Sequence, residues 1–165
     1  MKSNIVLIGM PAAGKSTVGV LLAKSFLKDF VDTDLIIQSR YGCTLSSIIE
    51  KEGTDAFLKI ENDSICSREY SSCVIATGGS AVYGEQAMEH LKKDGIVVYL
   101  EISLGEIEKR IGNITTRGVA IKNGESLAEL YNKRVPLYNK YADITVNCEG
   151  YSAEECVEKI INSLN

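Results

Sequence analysis

Residues 4–17 read Asn4-Ile5-Val6-Leu7-Ile8-Gly9-Met10-Pro11-Ala12-Ala13-Gly14-Lys15-Ser16-Thr17. The continuous apolar run closed by Gly9 is the pattern of a strand covered on both faces. From Lys15 to Phe26, apolar residues at Val18, Val20, Leu21, Leu22 and Phe26 give a mostly buried helix. Between strand and helix stands the pattern G-x-x-x-x-G-K-[ST]. Its glycines let the backbone curl until successive N–H groups point at phosphate oxygens. Lys15 then reaches the β/γ-phosphates of a nucleotide, and the Ser16 hydroxyl is placed for Mg²⁺. Gly9, Ala12, Ala13, Gly14, Lys15, Ser16 and Thr17 are the candidate nucleotide-binding residues.

Outward from this unit, strands and helices alternate. Phe30-Val31-Asp32 is a short strand, Ser72–Thr77 a buried run before Gly78-Gly79, and Ile96–Leu100 the clearest strand after the first. Asp143–Asn147 is the last strand, followed by a helix over Ser152–Leu164. Alternation of this kind predicts an α/β fold with a doubly wound parallel sheet. The polar stretch from Gly112 to Glu125 reads as a long surface loop, a length usually reserved for function or disorder.

Composition narrows the function. With 165 residues there is room for one domain, and 45% hydrophobic with 24% charged residues is ordinary for a globular protein. No apolar run approaches a membrane span, and Ile5–Ile8 is too short for a signal-peptide core. A net charge of −4 argues against a nucleic-acid partner while leaving room for one small anion in a basic pocket. Five cysteines (Cys43, Cys66, Cys73, Cys148, Cys156) without a C-x-x-C pair read as reduced thiols in a cytoplasm. With His90 as the lone histidine, His-based zinc sites are excluded, as is any Cys-His or Ser-His-Asp arrangement not built on it.

Two carboxylates follow the phosphate loop, at the end of the second strand, in Phe30-Val31-Asp32-Thr33-Asp34. Side chains alternate along a strand, so Asp32 and Asp34 are expected to face the same way. One is suited to organising the water shell of Mg²⁺ and the other to holding a substrate hydroxyl. The competing reading is that Asp34 caps the helix beginning at Leu35.

The ordered set Gly9–Thr17, Asp32-Thr33-Asp34, Gly42-Cys43-Thr44-Leu45, Gly53, Phe57, Glu61, Thr77-Gly78-Gly79, Arg117 and Arg134-Val135-Pro136-Leu137-Tyr138 resembles the shikimate kinase family. The resemblance covers essentially the whole chain. It implies a P-loop three-layer α/β/α fold whose five-stranded parallel sheet runs in the order 2-3-1-4-5. It also implies a single kinase domain over residues 1–165, with a substrate-binding segment at about 34–61 and a mobile lid at about 112–124. The activity implied is ATP- and Mg²⁺-dependent transfer of phosphate to a hydroxyl of shikimate or a related hydroxy acid, by a cytoplasmic monomer.

Carried over by position, the resemblance gives Lys15, Asp34 and Arg117 catalytic roles, Arg117 stabilising charge on the transferred phosphoryl group. Asp32 would act on the metal through water, and Arg110 would lie along the adenine ring. Gly78, Gly79 and Ser80 would border the substrate, the glycines offering N–H groups, while Arg134 would pair with its carboxylate. The chain departs from the family pattern at four of these places. Leu58 stands where a substrate-carboxylate arginine is expected, Ser80 replaces a third glycine, Ala12 a loop glycine, and Gly118 a proline after Arg117. Lys59 is no substitute for an arginine at 58, because adjacent helical positions diverge by about 100°. Glu61, three residues beyond Leu58, is placed to orient an arginine that is missing. Leu58 is therefore expected at the substrate and expected to weaken recognition of shikimate. Kinases of other hydroxylated metabolites, or a nucleotide-binding module without transfer, remain the alternatives.

Overall fold

The computed structural model describes residues 2–111, 119–120, 122 and 124–164. The chain begins with β1 (Asn4–Ile8), α1 (Lys15–Phe26), β2 (Asp29–Asp32), α2 (Thr33–Tyr41), α3 (Leu45–Glu52) and α4 (Thr54–Cys66). It continues through β3 (Cys73–Ala76), a 3₁₀ turn (Ala81–Tyr83), α5 (Glu85–Asp94), β4 (Gly95–Glu101) and α6 (Leu104–Arg110). The last elements are α7 (Leu127–Tyr141), β5 (Ile144–Asn147) and α8 (Ala153–Leu164).

All four strand pairings are parallel, and the sheet order is β2-β3-β1-β4-β5. β1 is the central strand, with Leu7 in register with Ala76 on one side and Val98 on the other. Val6, Leu7 and Ile8 are wholly buried, as the uninterrupted apolar run demands of a strand with neighbours on both edges and helices on both faces. The connection from β1 through α1 moves toward the β2 edge, whereas that from β3 through α5 crosses toward β4. Right-handed crossovers running in opposite directions place α1 and α5 on opposite faces of the sheet. β1 thus lies at the switch point of the winding, and the crevice beyond its carboxyl end is where such sheets bind ligands.

Apolar packing forms two clusters. The larger surrounds the sheet and takes in Met10 and Ala13 of the phosphate loop. The smaller, built on Ile37, Leu45, Ile48, Phe57 and Ala120, joins α2, α3 and α4 into a helical shoulder beside the crevice. Among the described residues, no helix is long and apolar enough to cross a membrane.

Candidate active site

The loop after β1 curls as its sequence requires. Gly9 has φ +149°, and a Cβ there would lie 2.8 Å from the Leu100 carbonyl oxygen, so only glycine fits against β4. Ala12, at the position of a missing glycine, accepts the left-handed region with φ +66°. Ala13 is buried, and its N–H donates to the Met10 carbonyl at 3.2 Å, closing the turn. α1 starts from Gly14 with no side-chain cap and no acid in its first turn, which leaves its leading N–H groups and positive dipole end to an anion. Lys15 is buried, and its Nζ donates to the Gly9 and Met10 carbonyls at 2.8 Å each. Burial pulls its pKa down to about 8, with the Asp34 carboxylate acting in the opposite sense.

The two aspartates are held differently from the expectation of strand alternation. β2 ends at Asp32 and α2 begins at Thr33, so Asp34 lies in the first turn of a helix. The cap is Asp32, not Asp34: Asp32 Oδ1 accepts from the N–H groups of Asp34 and Leu35 at 2.9 and 3.3 Å. Its other oxygen accepts from Ser16 Oγ at 2.8 Å, joining the first turn of α1 to the start of α2. Asp34 is freed to point inward, and its Oδ1 is buried with no hydrogen-bond partner among the described residues. Burial first, and the neighbouring Asp32 second, push its pKa up to about 6, against the pull of Lys15.

A cavity of about 390 Å³ connects these groups. Its lining includes Lys15, Ser16 and Thr17 at the start of α1, Asp34 of α2, Gly78, Gly79 and Ser80 after β3, and Arg134 of α7. Gly78 is pressed between carboxyls: a Cβ there would lie 2.7 Å from Asp34 Oδ1 and closer still to Glu61 Oε1. Its N–H donates to Thr33 Oγ1 at 3.2 Å, so this amide is engaged by α2 and is not offered to a substrate as expected. Arg134, in α7, is only 1% exposed; it donates from Nη2 to the Ala120 carbonyl at 2.9 Å and lies over the Tyr83 ring. Its Nε is buried with no hydrogen-bond partner among the described residues, an unfulfilled charged donor in the cavity wall.

Leu58 is the clearest departure from expectation. It packs, half-buried, on the smaller apolar cluster and lines a separate side cavity with Lys59, Asn62 and Tyr83, away from the wall that Asp34 and Arg134 share. A leucine on a helix that carries an apolar shoulder is drawn to the shoulder, not to a polar cleft. Arg110 pairs with Glu106 at 2.7 Å and donates to the Ala12 carbonyl at 3.2 Å, which sets it against the phosphate loop. Arg117 and most of the segment 112–124 lie outside the described residues.

Three partners escape a reading by local motif. Glu61 is wholly buried behind Gly78, and burial drives its pKa up to about 7 even though Ser80 Oγ donates to it at 2.5 Å. Thr33 receives the Gly78 amide, and Tyr138, stacked on Tyr99, donates from its hydroxyl to the Gly79 carbonyl at 2.6 Å. For Glu61 the available signal is its place three residues beyond position 58 on one helical face; its contact with Ser80, like those of Thr33 and Tyr138, joins separate elements.

Comparison with known proteins finds one family along nearly the whole chain. Residues 11–165 match the family described as "Shikimate kinase". The shikimate kinase of Thermodesulfovibrio yellowstonii is 42% identical over 161 residues, covering 96% of this chain and 92% of the relative. The structure of shikimate kinase from Acinetobacter baumannii in complex with shikimate superposes with a TM-score of 0.89 at 33% identity, covering 98% of this chain and 92% of that one. For the Aquifex aeolicus enzyme the values are 0.83 and 34%, with 98% and 95% covered. Agreement in sequence along nearly the full length and in overall fold has one meaning: the chain belongs to the shikimate kinase family.

Proposed function

We propose that the chain transfers the γ-phosphoryl group of ATP to a hydroxyl of shikimate within the cavity that runs from Lys15 to Arg134. The observation that carries this reading is the gathering of three unlike groups around one cavity. Its lining holds the phosphate-binding loop, Asp34, whose buried Oδ1 has no donor among the described residues, and Arg134, whose buried Nε has no acceptor among them. A hydroxy acid suits this set, its hydroxyl donating to the Asp34 carboxylate and its carboxylate accepting from the Arg134 guanidinium. Leu58 lines the side cavity and not this one, so the carboxylate falls to Arg134. A binding module without transfer has no use for an Asp34 whose Oδ1 has no donor among the described residues in the cavity wall.

In the reaction the acceptor oxygen forms a new P–O bond as the bond from the γ-phosphorus to the bridging oxygen of ATP breaks, releasing ADP. Asp34 holds the acceptor hydroxyl in line and takes up its proton as the bond forms, in its ionised form above pH about 6. Lys15 carries positive charge to the β- and γ-phosphates, and the leading N–H groups of α1 hold them. The residues also fit Mg²⁺. Ser16 and Asp32 offer one hydroxyl and one carboxylate at the phosphate-binding end, the sparse protein contribution typical of a metal held by phosphates and water. The ion would supply charge neutralisation between the β- and γ-phosphates. Arg117, Arg110 at the adenine, the lid at 112–124, the substrate segment 34–61 and organisation as one cytoplasmic, monomeric kinase domain belong to the same proposal.

The test is direct. The protein with ATP and Mg²⁺ is given shikimate and, separately, other small hydroxy acids, with ADP release and phosphorus NMR of the product as readouts. Shikimate should be the preferred acceptor. A faster acceptor elsewhere in the panel, or ADP release indifferent to shikimate, would overturn the proposal.

A further inference from the structure

Glu61 lies in the middle of α4 with 1% exposure, and a carboxyl so buried needs donors or stays protonated. The donor it has is Ser80 Oγ, at 2.5 Å from Oε2. Oε1 has none among the described residues and abuts Gly78, on the side where Asp34 Oδ1 also lies.

The contact joins the strip Gly78-Gly79-Ser80 to a third element. α2 holds Gly78 through the Thr33 hydroxyl, α7 holds Gly79 through the Tyr138 hydroxyl, and α4 holds Ser80 through Glu61. The strip is one wall of the acceptor end of the cavity, so what fixes it fixes the distance between Asp34 and Arg134 across which an acceptor must fit. Ser80 has φ −92° and ψ −3°, an ordinary conformation for any L-residue, so the backbone does not require glycine there and a side chain is free to serve.

Helical spacing links this contact to position 58. Residues three apart on a helix are neighbours, so a basic side chain at 58 would supply a donor from the turn before Glu61, where Leu58 offers none. We infer that Ser80 is a positioning residue which anchors Glu61 in place of a donor at position 58, and that residues 58 and 80 together form one specificity determinant for the acceptor. This deepens the kinase reading above and rests on it for the identity of the acceptor.

Four proteins test it: wild type, Ser80→Ala, Leu58→Arg and the double variant, with Ser80→Thr as the control that keeps a hydroxyl. Loss of a hydrogen bond to a buried carboxyl that sets a binding wall should raise KM for shikimate about tenfold in Ser80→Ala. KM for ATP should stay within about twofold, because the phosphate loop is untouched. Ser80→Thr should stay near wild type, and arginine at 58 should restore most of the lost affinity in the double variant. Unchanged KM for shikimate in Ser80→Ala, equal loss for both substrates, or additive effects of the two substitutions would overturn the inference.

Melting temperatures of the same four proteins give a second cycle that needs no acceptor, and they too should be non-additive. An absence of shikimate turnover in wild type thus strikes at the kinase reading, whereas additive melting shifts strike at the coupling of 58 and 80. If Ser80→Ala is too unstable to assay, recovery of folding by Leu58→Arg supports the inference, and continued failure to fold overturns it.

Discussion

Asp34 and Glu61 flank one glycine and carry pKa values near 6 and 7, both raised chiefly by burial. An acid whose pKa is higher folded than unfolded stabilises the fold while protonated. Its contribution is complete below the unfolded value near 4 and is lost as pH rises through the folded value. From these two groups alone, stability should fall between pH 4 and pH 7. Glu61→Gln keeps an oxygen for Ser80 and removes the ionisation. Its melting temperature should therefore gain on wild type as pH rises from 5 to 8, by an amount on the order of 3 kcal/mol at the upper end. A gap constant with pH in parallel melts would mean that Glu61 ionises as an exposed glutamate does. For Asp34 the readout is chemical. Asp34→Asn should bind nucleotide within a few-fold of wild type in calorimetry, yet transfer phosphate about 10²-fold more slowly or worse. A normal rate would reduce Asp34 to one turn of α2.

At the scale of elements, what could be read depended on how local the cause was. The phosphate loop is contiguous, and α1 begins and ends at Lys15 and Phe26, as the apolar spacing and the glycine before it require. A period of two carries the Asp32-Thr33-Asp34 stretch as strand, but Asp32 can cap, and the capping bond starts the helix at Thr33, two residues earlier than alternation allows. Glu61–Ser80 and Tyr138–Gly79 join residues 19 and 59 apart, a separation at which no local pattern speaks. Leu58 went the other way, because a family position says where a residue stands and not which cluster draws its side chain. The double duty of Asp32 can be separated. Asp32→Ala should lose the cap, about 1 kcal/mol or roughly 2–4 °C of melting temperature, together with Mg²⁺-supported activity. Asp32→Asn retains a capping oxygen and should melt close to wild type while activity still falls, since asparagine carries no charge to the metal's water shell. Equal melting temperatures for the Ala and Asn variants would show that the bonds to Asp34 and Leu35 contribute nothing to holding α2.

The whole molecule divides its labour between its two apolar clusters. The large one contains the sheet and Met10 and Ala13, so the phosphate loop rests on the most deeply buried part of the protein. The small one contains Phe57 and Leu45 with Ala120, whose carbonyl accepts from Arg134, so the cavity wall proposed to hold the acceptor rests on the helical shoulder. Fewer buried contacts mean a lower free energy for local opening, and α3 and α4 should exchange their amide hydrogens faster than β1, β3 and β4. A ligand that binds only the closed shoulder suppresses that opening in proportion to its saturation, by about 100-fold at a concentration 100 times its Kd. Shikimate should therefore slow exchange in α3 and α4 and leave the central strands at their intrinsic rates. A nucleotide with Mg²⁺ should protect the first turn of α1 instead, where Gly14 leaves the amides uncapped. Phe57→Ala empties the shoulder, an expected loss of about 3–5 kcal/mol. It should raise KM for shikimate far more than KM for ATP, because the phosphate loop does not lean on that cluster. Hydrogen exchange by mass spectrometry with each ligand in turn decides the matter: protection by shikimate spread evenly over sheet and shoulder would mean that the two clusters open as one, and that the acceptor wall has no independent support.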